Sequence, residues 1–146
     1  MSRLATACVW PILLLAACTA DNGPPIVISN VHILAPLPGS NAGVAYLTIT
    51  NNSDAAITVR SIRSPQFARV EMHEATISDG VSRMRPLNSV QIARGTSVDF
   101  AAGGKHIMLF GANPQTNTGS PVTLEIEHDD GLLIVSATLQ TRLPAD

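Results

Sequence analysis

Two histidines and two methionines have side chains and a spacing that could bind a metal ion: His73, Met84, His106 and Met108. Thioethers are soft, uncharged donors that suit magnesium, calcium or manganese poorly, and zinc prefers thiolate, imidazole or carboxylate ligands. Neutral imidazole combined with thioether suits copper, above all Cu(I). Because these donors add no charge, the bound ion would stay a net cation. Such binding should be tight but exchangeable, which suits a carrier.

A β-hairpin is predicted next to the first of these histidines. Asp79-Gly80 is a strong turn signal, because these two residue types accept positive φ angles. A two-residue turn at this point places Ser78 opposite Val81. In that register, any cross-strand pair with an odd residue-number sum shares a face of the hairpin.

This register predicts where the candidate ligands point. His73 and Met84 have an odd sum and share a face, whereas Met72 points the other way, into the core. His106 and Met108 are two residues apart, so they share one face of their own strand. The four donors can meet if the fold brings these two β segments together.

The elements that must position these residues are all strands. Apolar and polar residues alternate in twos between turn signals, and no stretch has the period of a capped helix. Many short strands at this spacing predict a single all-β domain, a Greek-key sandwich or barrel. The strand candidates are residues 26–34, 44–50, 57–62, 70–77, 81–84, 90–92, 97–100, 105–110, 122–128 and 132–139.

The composition excludes several classes of function. The chain has 146 residues, a formal net charge of -2 and a single lysine, Lys105, so it lacks the basic patch of a nucleic-acid-binding protein. Its two cysteines, Cys8 and Cys18, lie near the N-terminus, which excludes a disulfide framework or a thiolate metal cluster in the body of the chain. No motif suggests a nucleophile–base pair, so we expect no enzymatic activity.

The N-terminus is predicted to be a bacterial lipoprotein signal. Residues 1–17 combine a positive start with an apolar run that is too short to cross a bilayer, which needs about 20 apolar residues. Leu15-Ala-Ala-Cys18 resembles a lipobox, in which Cys18 receives the lipid. We expect a lipidated tether over 18–25 and a domain over 26–146, anchored on the periplasmic side of the envelope. Thr19 slightly favours the outer membrane. The alternative is an ordinary signal peptide with an incidental Cys18.

The four candidate ligands and their flanking residues resemble the periplasmic copper chaperone family called PCuAC. The family signature is His, ten residues, Met, twenty-one residues, His, one residue, Met, and every gap matches here. Segments 70–74, 84–86 and 103–109 also resemble the family, and the similarity covers roughly residues 26 to 140. The resemblance implies a cupredoxin-like β-sandwich that binds Cu(I) through these four side chains on an exposed face. It also implies delivery to the CuA centre of cytochrome c oxidase, alongside Sco-type thiol proteins.

Other polar residues have simpler interpretations. His32 and His128 have no partner at ligand spacing, and we expect the first to be structural and the second to be exposed beside its turn. Glu71 and Glu74 are interpreted as an ordinary solvated edge, with a weak docking or electrostatic role as the alternative.

Four functions are therefore compared. The first is a monomeric Cu(I) metallochaperone that delivers copper by ligand exchange, and the second is copper sequestration without a delivery partner. The third is a copper enzyme or electron carrier, which the missing cysteine and acid–base groups disfavour, because a blue-copper centre needs a thiolate. The fourth is a structural lipoprotein that binds no metal.

Overall fold

The computed structural model of the protein describes residues 24–142, and within this range every regular element is a strand. The predicted signal peptide 1–17 and Cys18 lie outside the described residues. The ten strands are β1 Ile26–Leu34, β2 Ala42–Asn51, β3 Ile57–Arg63, β4 Phe67–Ser78, β5 Val81–Leu87, β6 Val90–Ile92, β7 Ser97–Phe100, β8 Lys105–Ala112, β9 Pro121–His128 and β10 Gly131–Gln140.

The strands form a nearly closed barrel in the order β5-β4-β8-β7-β2-β1-β10-β9-β3-β6. Strands β5 to β1 in this order make one wall and β10 to β6 make the other. The walls join where Ile33 and Leu34 pair in parallel with Leu139 and Gln140. β8 and β7 both pair with β2, one after the other along its length. The predicted all-β class is confirmed. Within residues 24–142, no helix has the length and apolarity needed to cross a membrane.

The core lies between the walls and follows from the alternation of apolar residues. Leu47 and Ile49 of β2 belong to the same buried cluster as Leu124 and Ile126 of β9 in the other wall, and all four are 0–1% exposed. Burying an aliphatic side chain of this size stabilises a fold by about 1.5–3 kcal/mol. The core continues beneath β4 and β8, so these two strands rest on a packed apolar layer that includes Met72.

Two histidine predictions are wrong, each because of strand geometry. A β-bulge between Ser29 and His32, with Asn30 at a φ of 53°, adds one residue to β1 and reverses its inward face. His32 is therefore exposed, not structural. His128 shares the inward face of β9 and is buried at 8% exposure, where its Nδ1 accepts a hydrogen bond from the Asp130 N–H at 3.3 Å.

Strand β5 is longer than the sequence indicates, since it continues through Pro86 to Leu87. Proline ends a central strand because it has no N–H to donate, but it is tolerated on an edge strand. Within residues 24–142, β5 is at one end of the sheet order and is hydrogen-bonded to β4 alone. The candidate ligand Met84 is therefore carried by an edge strand.

Candidate metal centre

Strands β4 and β8 bring the two candidate histidines together. His73 lies directly opposite His106 in the antiparallel register, and Glu71 lies opposite Met108. The two imidazole rings have their centroids 6.0 Å apart, with an interplanar angle of 52°. Because residues in direct register share a face, both rings and the Met108 side chain are on the outer face of this wall.

The fourth candidate joins this face from β5. Ser78 pairs with Val81 across a two-residue turn, which confirms the predicted register of the hairpin. Met84 lies opposite Ala75, two residues along β4 from His73, so Met84 and His73 share a face and are diagonal neighbours. Met72 is buried at 5% exposure, as its parity predicted.

The exposure of the four side chains rises across the site. His106 is buried at 7% exposure, whereas Met84 is 63% exposed. The His73 side chain is 17% exposed, and Met108 is partly buried. An open cavity of about 290 Å³ is lined by Met84, His106 and Met108, together with Tyr46 and Arg142. A metal ion on this face could be reached from solvent on the Met84 side.

The ring of His73 is held by a carboxylate. Its Nε2 is 2.9 Å from Glu71 Oε2, and Glu71 is also paired with Arg69. The hydrogen bond with His73, together with the Arg69 guanidinium, holds the pKa of the Glu71 carboxyl below its ordinary value. The carboxylate can only accept, so Nε2 of His73 carries the hydrogen. In neutral His73, Nδ1 is then left with a free lone pair.

The ring of His106 is held by the backbone. Its Nδ1 is 3.0 Å from the carbonyl oxygen of Gly104, which can only accept, so Nδ1 donates and Nε2 keeps the lone pair. Metal-binding histidines are typically oriented in this way by a carbonyl or a carboxylate on the second ring nitrogen. Both candidate histidines have such a partner.

The interpretation of Glu71 and Glu74 as an ordinary solvated edge is wrong. Glu71 orients His73, and the i, i+2 spacing of the two residues on one strand face is the sequence signal that could have found it. Glu74 is on the opposite face and accepts hydrogen bonds from Arg85 and Lys105. These two bonds hold the pKa of the Glu74 carboxyl below its ordinary value.

A metal site made only of His, Cys, Asp or Glu side chains is not found in residues 24–142. No three His, Cys, Asp or Glu side chains of that range are grouped so that they could hold a metal ion. The His and Met set is therefore a candidate only as a mixed nitrogen and sulfur site.

Residues 26–137 match the family described as Putative lipoprotein LpqE-like. The chain belongs to this LpqE-like family. One relative, Putative lipoprotein Lxx21020 of Leifsonia xyli subsp. xyli, is 26% identical over 94 residues, which cover 64% of this chain and 57% of that protein. The chain spans about half the length of the curated relatives it matches.

Solved PCuAC structures have the same fold. The copper-bound PCuAC domain from PmoF2 matches with a TM-score of 0.66 and 18% identity, covering 82% of this chain and 95% of that domain. The solution structure of CuI-DR1885 from Deinococcus radiodurans matches with a TM-score of 0.60 and 26% identity, covering 84% of this chain and 83% of that one. The cupredoxin-like PCuAC fold implied by the sequence resemblance is thereby confirmed.

Proposed function

We propose that this protein is a monomeric Cu(I) metallochaperone of the cell envelope. It binds one Cu(I) through the side chains of His73, Met84, His106 and Met108 and delivers the ion to a cuproenzyme by ligand exchange. The observation that carries the proposal is the meeting of two imidazoles and two thioethers on one face of β5, β4 and β8, beside an open cavity.

The chemistry of these donors fits a soft monovalent ion. Nδ1 of His73 and Nε2 of His106 are the ring nitrogens left without a hydrogen, and the two thioethers supply soft sulfur. None of the four ligands is charged, so the site retains Cu(I) as a cation. The Glu71 carboxylate, which contacts His73, contributes negative charge outside the ligand set.

The gradient of exposure suits stepwise transfer. Met84 is the most accessible donor at 63% exposure, and His106 is the least at 7%. An incoming thiolate or imidazole from an acceptor would displace the Met84 thioether first and His106 last. The ion would then pass between proteins without being released into water.

The comparisons support copper as the cargo. The PCuAC domain from PmoF2 is named as copper-bound, and DR1885 is named in its Cu(I) form. We extend this property to the present chain, and we take the CuA domain of cytochrome c oxidase as the acceptor, with a Sco-type thiol protein as a further partner. No catalytic step is assigned.

The binding test is a competition titration of the full-length protein with a chromophoric Cu(I) chelator. His73→Ala and His106→Ala should each weaken Cu(I) binding sharply. His32→Ala, which removes an exposed imidazole separated from β8 by β2, is the matched control and should bind like wild type. X-ray absorption of the Cu(I) form should report both nitrogen and sulfur scatterers. Unchanged affinity in both histidine variants would refute the proposed ligand set.

The delivery test is transfer from the Cu(I)-loaded protein to an apo CuA domain. Appearance of copper in the acceptor, faster than dissociation into a chelator, supports a chaperone. Retention of the ion by this protein in the presence of the acceptor would instead favour sequestration without a delivery partner.

The proposed anchor is a lipid on Cys18, with the domain on the periplasmic side of a membrane. The lipoprotein names of the family and of one relative support this location. Incorporation of labelled fatty acid should occur in the wild type and be absent in Cys18→Ser. Fractionation of the two membranes then tests the outer-membrane preference derived from Thr19.

A further inference from the structure

An ion triad crosses the three strands that carry the candidate ligands. Glu74 of β4 lies directly opposite Arg85 of β5 and also directly opposite Lys105 of β8. The Glu74 carboxylate accepts from Arg85 Nε at 3.1 Å, from Arg85 Nη2 at 2.5 Å and from Lys105 Nζ at 3.1 Å. The side chain of Glu74 is 19% exposed, so this carboxylate lies largely within the protein.

Each member of the triad is the chain neighbour of a candidate ligand. Glu74 follows His73, Arg85 follows Met84, and Lys105 precedes His106. Successive side chains of a strand point to opposite faces, so the triad lies behind the site. Across the strands, the triad forms the row between the His73–His106 pair and the row that contains Met84.

The triad lies where the register between β4 and β8 ends. β8 begins at Lys105, opposite Glu74, so Ala75 and the Met84 opposite it lie beyond the last paired row. There Ala75 N–H donates to the carbonyl of Gly104 at 3.0 Å. The Arg85–Glu74 pair is thus a side-chain link between the Met84 end of β5 and β4, the strand of His73. The Lys105–Glu74 pair extends this link to β8, the strand of His106.

We propose that Glu74 is a positioning residue of the copper site, which holds β5, β4 and β8 in the arrangement that lets Met84 and His106 bind one ion with His73. This inference rests on the proposed function. The triad does not contact the ion, because it is on the opposite face of the wall.

The triad should affect the arrangement of the copper ligands more than the stability of the fold. Ion pairs of exposed residues such as Arg85 contribute little to folding, since solvent screens them and side-chain entropy opposes them. Metal affinity depends more steeply on the placement of the ligands, and loss of a group hydrogen-bonded to a ligand typically costs about 10–100-fold in affinity. Glu74 is bonded to Arg85 and Lys105 rather than to a ligand, so we expect an effect at the low end of this range. Arg85 should therefore affect Cu(I) binding more than it affects unfolding.

The test compares the full-length protein with Glu74→Gln, which keeps the shape of the side chain and removes its charge. We expect Cu(I) affinity about tenfold lower in competition with a chromophoric chelator. X-ray absorption of the Cu(I) form should also show fewer sulfur scatterers. The matched control is Glu127→Gln, because Glu127 accepts from Ser61 and Arg63 in the opposite wall. This control should bind Cu(I) as the wild type does.

A second variant tests the Arg85–Glu74 link between β5 and β4. Arg85→Gln alters a side chain that is 68% exposed, so it should fold. It should lower Cu(I) affinity in the wild-type background but not in a Met84→Ala background, because the Arg85–Glu74 link is proposed to act only by positioning the Met84 thioether. An effect of equal size in both backgrounds would refute the positioning role.

The outcomes separate this inference from the proposed function. If wild type binds Cu(I) and both Glu74→Gln and Arg85→Gln keep its affinity and sulfur scatterers, the inference is wrong and the proposed function stands. If wild type does not bind Cu(I), both are overturned. If Glu74→Gln does not fold, the two Arg85→Gln measurements decide.

Discussion

The two hairpins β4–β5 and β9–β10 share one design but differ in where they lie. Each has a two-residue turn, closed by Ser78 and Val81 in the first and by His128 and Gly131 in the second. β9–β10 is inside the sheet order, between β1 and β3, whereas β4–β5 ends it. One hairpin therefore has neighbours on both sides, and the other has a free edge in the part of the chain that the structure describes.

This difference sets the burial of their side chains. In β9, Val122, Leu124 and Ile126 are all fully buried. In β5, Val81 and Met84 are 52% and 63% exposed, and Leu87 packs against the core. The interior hairpin contributes apolar burial, and the edge hairpin leaves a soft donor accessible. A carrier needs both properties, since its cargo must be reached while the fold stays intact.

The largest expected effect is on stability in the interior hairpin. Ile126→Ala removes a fully buried side chain and should lower the free energy of unfolding by about 2–5 kcal/mol. Ile134→Ala makes the same chemical change at a residue that is 66% exposed on β10, and should cost less than about 0.5 kcal/mol. Urea denaturation measures both. Equal losses would contradict the assignment of the core to this hairpin's inner face.

The edge hairpin should respond in the opposite way. Met84→Ala removes one proposed ligand and should lower Cu(I) affinity at least tenfold, since outer partners alone are worth about 10–100-fold. Its free energy of unfolding should change by less than about 0.5 kcal/mol, because the side chain is 63% exposed. Val81→Ala on the same strand is the control and should leave Cu(I) binding unchanged. A large loss of stability in Met84→Ala would contradict the conclusion that the edge hairpin contributes little apolar burial at Met84.

The turns of the two hairpins should differ by a smaller amount. Gly80 has a φ of 74°, in the left-handed region, whereas neither Asp129 nor Asp130 has a positive φ. Gly80→Ala should therefore cost about 1–2 kcal/mol of stability, more than Asp130→Ala. Gly80→Asn should recover part of this loss, because asparagine tolerates that conformation. Thermal and urea unfolding measure the stability of the three variants. Equal losses of stability in all three would contradict the left-handed conformation assigned to Gly80.

The smallest expected effect is the loss of the Asp129 contribution to folding stability at low pH, in the interior hairpin. Hydrogen bonds from Arg60 and from the backbone N–H of Thr58 hold the pKa of Asp129 below its ordinary value. The unfolded chain then binds more protons, so this contribution is complete above about pH 4 and is lost as the pH falls through the folded-state pKa. Asp129→Asn should be less stable than wild type at pH 7. A gap that persists at pH 2 in urea titrations would argue against this linkage.

Local patterns predicted much of the candidate site. The parity of His73, Met84 and Met72 follows from one turn, Asp79-Gly80, and the observed register agrees with it. That prediction succeeds because the side-chain period of a strand is two, so a single known pair places every other residue of the hairpin on a face.

Predictions failed where a local pattern depends on its neighbours. His32 is predicted to be structural, but the residue inserted at the β1 bulge changes the face of the strand and leaves His32 exposed. Pro86 should end a strand, yet β5 continues through it to Leu87, because β5 is an edge strand among the ten strands described. Glu74 looks like a surface charge in the sequence, and only the pairing of β4 with both β5 and β8 gives it two cationic partners.

The sequence by itself determined the kind of donors, their spacing and the face each presents, because these depend on residue type and on the repeat of a single strand. Only the tertiary structure decided that β4 lies between β5 and β8, so that His73 meets His106 on one side and Met84 on the other. Strand order is set by long-range packing of the apolar faces, and no local pattern along the chain contains it.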